Sequence, residues 1–148
     1  MQDWLARLPH LPPMRLVEEV ADVEPGVSAR ARRWTRGDDW YFDGHFPDDP
    51  VVPAVVLVEL LAQTGGLAAG SAADGATPLA LRVAALGPFK FPGAAGPGML
   101  LEATARVAGR MGPLVKIEGT VTADGVLVAS GSVTLAEVKR AGAEKSEV

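Results

Sequence analysis

Residues 53–69, PAVVLVELLAQTGGLAA, restrict what this chain can become more than any other stretch. Pro53 suits the first position of a helix, and Gly70 with the following SAADGATP stops it near Ala69. Between them the residues are apolar on nearly every side, and Glu59 is the single ionisable side chain. Such a helix has no wet face and must be covered all round. The wider apolar run, 51–73, is interrupted by Pro53, Glu59, Gln63, Gly65, Gly66 and Gly70, which makes it a core helix and a poor membrane span. A carboxylate placed there loses its water, and an isolated buried charge costs several kcal/mol unless it is paired or protonated. Glu59 is therefore either compensated or used.

The cover reads as strands. Residues 1–8 can form a short helix, and the prolines at 9, 12 and 13 then force an extended entry. MRLVEEVADVEPG, 14–26, follows as a first strand ending in the turn Glu24-Pro25-Gly26, and VSARARRWT, 27–35, alternates like a strand with one wet face. Beyond the helix, LALRVAAL, 79–86, is a strand and GPFKFPGAAGPG, 87–98, a Pro/Gly connection. Met99, Leu101, Ala103, Ala105 and Val107 then share one face against Glu102, Thr104 and Arg106. Val115, Ile117, Gly119 and Val121 oppose Lys116, Glu118, Thr120 and Thr122, and Asp124-Gly125 turns the chain into a last strand. Strands with no crossover helix between them pair antiparallel. The predicted class is α+β, one curved antiparallel sheet wrapped around one long central helix over residues 1–138, with 139–148 as a flexible C-terminal tail.

Composition narrows the function. The 148 residues fit one domain, and with only 5% aromatic residues Ala, Val and Leu must build the core. A net charge of −4, with no basic cluster longer than RARR at Arg30–Arg33, argues against nucleic acid. The absence of cysteine removes disulfides, thiolate zinc sites and a cysteine nucleophile, and two distant histidines make a poor metal site. The N-terminus lacks the apolar core of a signal peptide, so a cytoplasmic location is expected.

GHFPDDPVVPAVVLVELLAQ, residues 44–63, resembles the signature of the β-hydroxyacyl-[acyl carrier protein] dehydratases, the FabZ/FabA-like family. His45 precedes Glu59 by the family spacing. LPH at Leu8–His10, YFDGHFP at Tyr41–Pro47, FK at Phe89–Lys90, PG at Pro97–Gly98 and the terminal hairpin occur in matching order, so nearly the whole chain is covered. The resemblance implies a hot-dog fold and dehydration of (3R)-3-hydroxyacyl thioesters to trans-2-enoyl thioesters. It implies no metal, and no cofactor beyond the phosphopantetheine that carries the substrate on acyl carrier protein. In the family the histidine and the acid of one site come from different subunits, which implies a homodimer with interfacial sites and leaves open a trimer of dimers.

The chemistry fits the residue types. Water removal needs a base for the α-proton, a stabiliser for the thioester oxygen and an acid for the hydroxyl. His45 can be the base, because an imidazole is largely neutral near pH 7. Glu59 can be the acid, since desolvation in an apolar helix favours a protonated carboxyl. The Ala54 and Val55 amides, at the positive end of the helix, are the natural donors to the thioester carbonyl, and Gln63, one turn beyond Glu59, can hydrogen-bond its carboxyl. Trp34, Trp40, Phe42 and Phe46 are expected to pack around the site loop, with Phe46 and Phe89 as the candidates should an aromatic ring line the acyl tunnel. Lys90 can touch the phosphopantetheine, the carrier protein or only solvent.

Other uses of the same residues stay open. Glu59 can be a structural acid paired with Arg82, and His10 is read as packing. Ala54 replaces a family Gly, and Leu11, Glu18 and Glu19 replace a family Arg, Asp and Arg, departures that point toward a specialised acyl chain. A hot-dog acyl thioesterase and a non-catalytic acyl-binding partner are the competing functions. The acyl carrier could also be CoA.

Overall fold

The computed structural model describes residues 3–70 and 81–138. The predicted C-terminal tail, the loop after the helix and the first two residues of the predicted 79–86 strand lie outside these residues. Among the described residues six strands form one sheet: β1 (Glu19–Glu24), β2 (Ser28–Trp34), β3 (Leu81–Lys90), β4 (Leu100–Met111), β5 (Leu114–Ala123) and β6 (Val126–Glu137). Their order is β1-β2-β4-β5-β6-β3, and every neighbouring pair is antiparallel. One helix, α1 (Ala54–Ala69), lies against β2, β4, β5 and β6. This is the hot-dog arrangement. Among the described residues no helix is long and apolar enough to cross a membrane.

The period-two pattern sets which face of the sheet meets the helix. Leu101, Ala103 and Ala105 of β4 and Val115, Ile117 and Val121 of β5 are buried, while Thr104, Arg106 and Lys116 face solvent. Asp124 and Gly125, both at positive φ, close the β5–β6 hairpin as a tight turn whose twist matches the strands. From Leu60 to Ala69 every residue of α1 is buried, so the second half of the helix is enclosed as its composition demands. The first half is not, for Ala54 and Val55 are exposed, Val55 at 74%.

Helix and sheet meet on a floor of small residues. Ala29, Ala105, Gly119 and Gly131 pair in a straight row across β2, β4, β5 and β6, and Phe89 of β3 ends it. A Cβ at Gly119 would collide with the Thr104 carbonyl oxygen and meet the Leu61 Cδ1 of α1 at 2.6 Å. A Cβ at Gly65 would meet the Ile117 Cγ2 at 2.8 Å, and one at Gly131 would strike the Phe89 ring. No added methyl fits at Gly65 or Gly119, where α1 meets the middle of the sheet.

Some boundaries differ from the sequence expectation. Of the helix expected over 1–8, the described part, residues 3–8, gives only a 3-10 turn at Leu5–Arg7, and β1 starts at Glu19, because 14–17 leave the sheet to bond α1. Pro53 is the residue before the helix and not its first member. β3 runs through Gly87-Pro88, expected to be connection, since an edge strand tolerates the missing proline N–H and the register shifts between Leu86 and Phe89 to absorb it.

Gly119→Ala should lower stability by about 1–3 kcal/mol through overpacking, read from urea denaturation. Gly37→Ala, where nothing stands within 4 Å of a new Cβ, should stay within about 0.5 kcal/mol of wild type.

Candidate active site

The loop from β2 to α1 carries His45 and is fixed by a buried polar cluster. The Arg33 guanidinium, 8% exposed, donates to the Tyr41 hydroxyl (3.1 Å), the Leu16 carbonyl (3.1 Å) and the Asp39 carboxylate (3.1 Å). Tyr41 in turn donates to Asp39 at 2.6 Å. Burial first, and the Asp39 bond second, push the Tyr41 hydroxyl up to about 12. Beyond this cluster the chain turns through Gly44 and Phe46, at φ +72 and +66. A phenylalanine in the left-handed region costs about 1–2 kcal/mol, so the surrounding turn must hold it there.

His45 is oriented by the main chain. Its Nδ1 lies 2.9 Å from the Val51 carbonyl, which can only accept, so Nδ1 carries the hydrogen and Nε2 presents a lone pair. The Phe46 ring packs on the imidazole, with centroids 4.5 Å apart. Val52 N–H donates to Ala95, which braces the start of α1 against the β3–β4 connection. The first intrahelical donors are Val56 and Leu57, both to Pro53, so the Ala54 and Val55 N–H groups point outward unpaired among the described residues.

Glu59 sits on α1 with a side chain 28% exposed, less enclosed than its apolar neighbours suggest. Gln63 Nε2 donates to Glu59 Oε2 at 2.8 Å and to the Met14 carbonyl at 2.7 Å. The other end of the amide, Oε1, accepts from Leu16 N–H at 2.9 Å and Val17 N–H at 3.4 Å. One buried glutamine thus ties the carboxyl to the N-terminal strap, and Leu16, bonded to both Gln63 and Arg33, joins it to the Tyr41 cluster. The His10 Nε2 approaches Glu59 Oε2 at 3.5 Å.

Glu59 opens into a cavity of 270 Å³ walled by Leu8, Ala62, Gly66, Val83 and Leu135, with His10, Gln63 and Arg82 as its polar groups. Arg82 reaches the cavity but makes no ion pair with Glu59. His45 is not among the lining residues, and neither are Ala54, Val55, Phe46 and Phe89. Phe46 is exposed, as are Trp34 and Trp40, so these rings do not close over the site loop within one chain; Phe42 does pack inside. Phe89 covers Gly131 and stacks on Phe91. Lys90, at the end of β3, is exposed. His10 is the site residue that the sequence left as packing; nothing in its spacing announced a neighbour 49 positions away. Among the described residues no three metal-ligating side chains converge.

The fold and the helix-borne carboxyl facing an apolar cavity place the chain among hot-dog proteins. It belongs to the FabA-like domain family, whose pattern matches residues 8–132. A 3-hydroxyacyl-[acyl-carrier-protein] dehydratase FabZ of Streptococcus suis is 36% identical over 87% of this chain and 91% of its own, and one from a Roseiflexus species is 32% identical over 92% and 94%. In structure, the dehydratase heterocomplex ApeI:P of Xenorhabdus doucetiae superposes with a TM-score of 0.77 at 17% identity, over 97% of this chain and 96% of that one.

Two outcomes are expected. Gln63→Leu should cost more than about 2 kcal/mol by leaving the Leu16 N–H and Met14 carbonyl unpaired, and hydrogen exchange at Leu16 and Val17 should quicken while β4 and β5 stay protected. Tyr41 is the only tyrosine, so ultraviolet titration should show phenolate forming near pH 12. Because its folded value is the higher one, the stability that Tyr41 supplies should be full below pH ~10 and fall away as the pH rises toward 12.

Proposed function

We propose that this chain dehydrates (3R)-3-hydroxyacyl thioesters on acyl carrier protein to trans-2-enoyl thioesters. The observation that carries the proposal is Glu59, held through one oxygen by Gln63 and turned toward a cavity walled largely by apolar residues, in a chain whose His45 is oriented by the Val51 carbonyl. Its family membership and the FabZ relatives support the same reaction.

In this mechanism His45 Nε2 removes the α-proton, and the electron pair of that C–H bond becomes the new Cα=Cβ bond. The Ala54 and Val55 N–H groups receive the negative charge on the thioester oxygen as it forms. The Cβ–O bond breaks toward oxygen, which takes the proton of Glu59 and leaves as water. Side chains and main-chain amides suffice, with no cofactor beyond the phosphopantetheine of the carrier. Ala54, with a Cβ where the family has none, still offers its amide.

His45 and the Glu59 cavity are separate within one chain, so the working site is assembled from two copies. β3 supports this. It is an edge strand whose apolar residues face solvent, Leu86 at 56% and Val83 at 45%, and such an edge is a ready template for another strand. Leu81, Arg82 and Val83 of the same strand form the rim of the cavity, so a second copy seated on β3 can bring its His45 there.

Mass spectrometry of a 3-hydroxyacyl carrier protein should show loss of one water with wild type, cut by about 10²-fold or more in His45→Ala and in Glu59→Gln. Neither variant works alone, yet an equal mixture refolded together should regain about a quarter of wild-type activity, because half of the symmetric dimers then hold one intact site. Release of free thiol in place of water would make the chain a thioesterase.

A further inference from the structure

We infer that His10 is a positioning residue for Glu59, donating from Nε2 to Oε2 so that Oε1 is the oxygen that carries the acidic proton. The inference deepens the dehydratase proposal and rests on it for its kinetic arm. His10 closes the LPH segment of the strap, and its ring lies in the wall of the Glu59 cavity. The separation of 3.5 Å is long for a hydrogen bond, but contacts of this kind tighten when substrate fills the site.

The other ring nitrogen decides which hydrogen is present. His10 Nδ1 is buried and has no hydrogen-bond partner among the described residues. A proton there would be a buried N–H with no acceptor among the described residues, and would leave the Nε2 lone pair facing the lone pairs of Oε2. With the proton on Nε2, only a bare lone pair is buried and the N–H points at the carboxyl. Gln63 Nε2 already donates to the same oxygen. Two donors on Oε2 make it the carbonyl-like oxygen of the acid, and the proton is left to Oε1, which has no protein partner among the described residues. An acid that can rotate presents its proton in several directions; one pinned through Oε2 presents it in one, and fixed geometry of this kind acts on turnover more than on binding.

The first test needs no substrate. Long-range proton–nitrogen NMR separates the two histidines with His45→Ala as the assignment control. The His10 ring should be protonated at Nε2 and should shift in Glu59→Gln, whereas an Nδ1–H ring overturns the inference even if the enzyme is a dehydratase. The second test compares wild type with His10→Ala, His10→Leu and His10→Gln on a 3-hydroxyacyl carrier protein. Loss of the donor in the Ala and Leu variants should lower kcat by about tenfold or more with KM within about twofold, and the Gln amide should restore most of it. A Leu variant as active as wild type, or a Gln variant no better than Leu, would show that the ring merely packs. If wild type releases no water, the dehydratase proposal fails, and the NMR arm still decides the His10–Glu59 contact.

Discussion

The seating of α1 on a floor of alanine and glycine is the contact on which the other distances depend. Leu61 reaches the backbone of β4 and β5 because Gly119 has no side chain, and Gly65 lets the same helix settle onto Ile117. Raising the helix by one methyl would lift Glu59 from the wall formed by Val83 and Leu135 and pull Gln63 from the strap. Packing at one face of the helix thus sets the chemistry at another. A close-packed interior transmits such a displacement instead of absorbing it.

Two polar systems hang from that seat. On one side Arg33, Asp39 and Tyr41 fix the loop that leads to His45, and on the other Gln63 fixes Glu59. They meet at the Leu16 peptide, whose carbonyl accepts from Arg33 and whose N–H donates to Gln63. Among the described residues the buried polar groups of Arg33, Asp39, Tyr41 and Gln63 are all paired, so the cluster adds order without the penalty of an orphaned polar group. The open places lie elsewhere, at the first turn of α1, along β3 and around Phe46, where apolar or unpaired groups still face solvent.

The sequence disclosed what is periodic and what is local. Alternation placed β4, β5 and the last hairpin nearly residue for residue, and the apolar run marked α1, because burial on one face leaves a direct trace in residue order. The Glu59–Gln63 bond was equally legible, being one helical turn. Tertiary partners were not: Met14–Val17 read as strand because the apolar pattern cannot say whether its amides pair with a strand or with a glutamine 46 or 47 positions on. Pro88 read as a breaker because nothing local says that a strand lies at an edge. The approach of His10 to Glu59 was hidden for the same reason.

The bonds from Gln63 to the strap all end on main-chain atoms, of Met14, Leu16 and Val17. Every residue type except proline offers the same two groups, so this recognition is blind to side-chain identity at those positions. The N-terminal segment is therefore free to drift over evolutionary time while the carboxyl stays where it is. Leu11, Glu18 and Glu19, where the family pattern has Arg, Asp and Arg, are what such freedom looks like: charges reassigned on the surface, Glu18 now to Arg36 and Glu19 to Arg32, above an anchor that never read them.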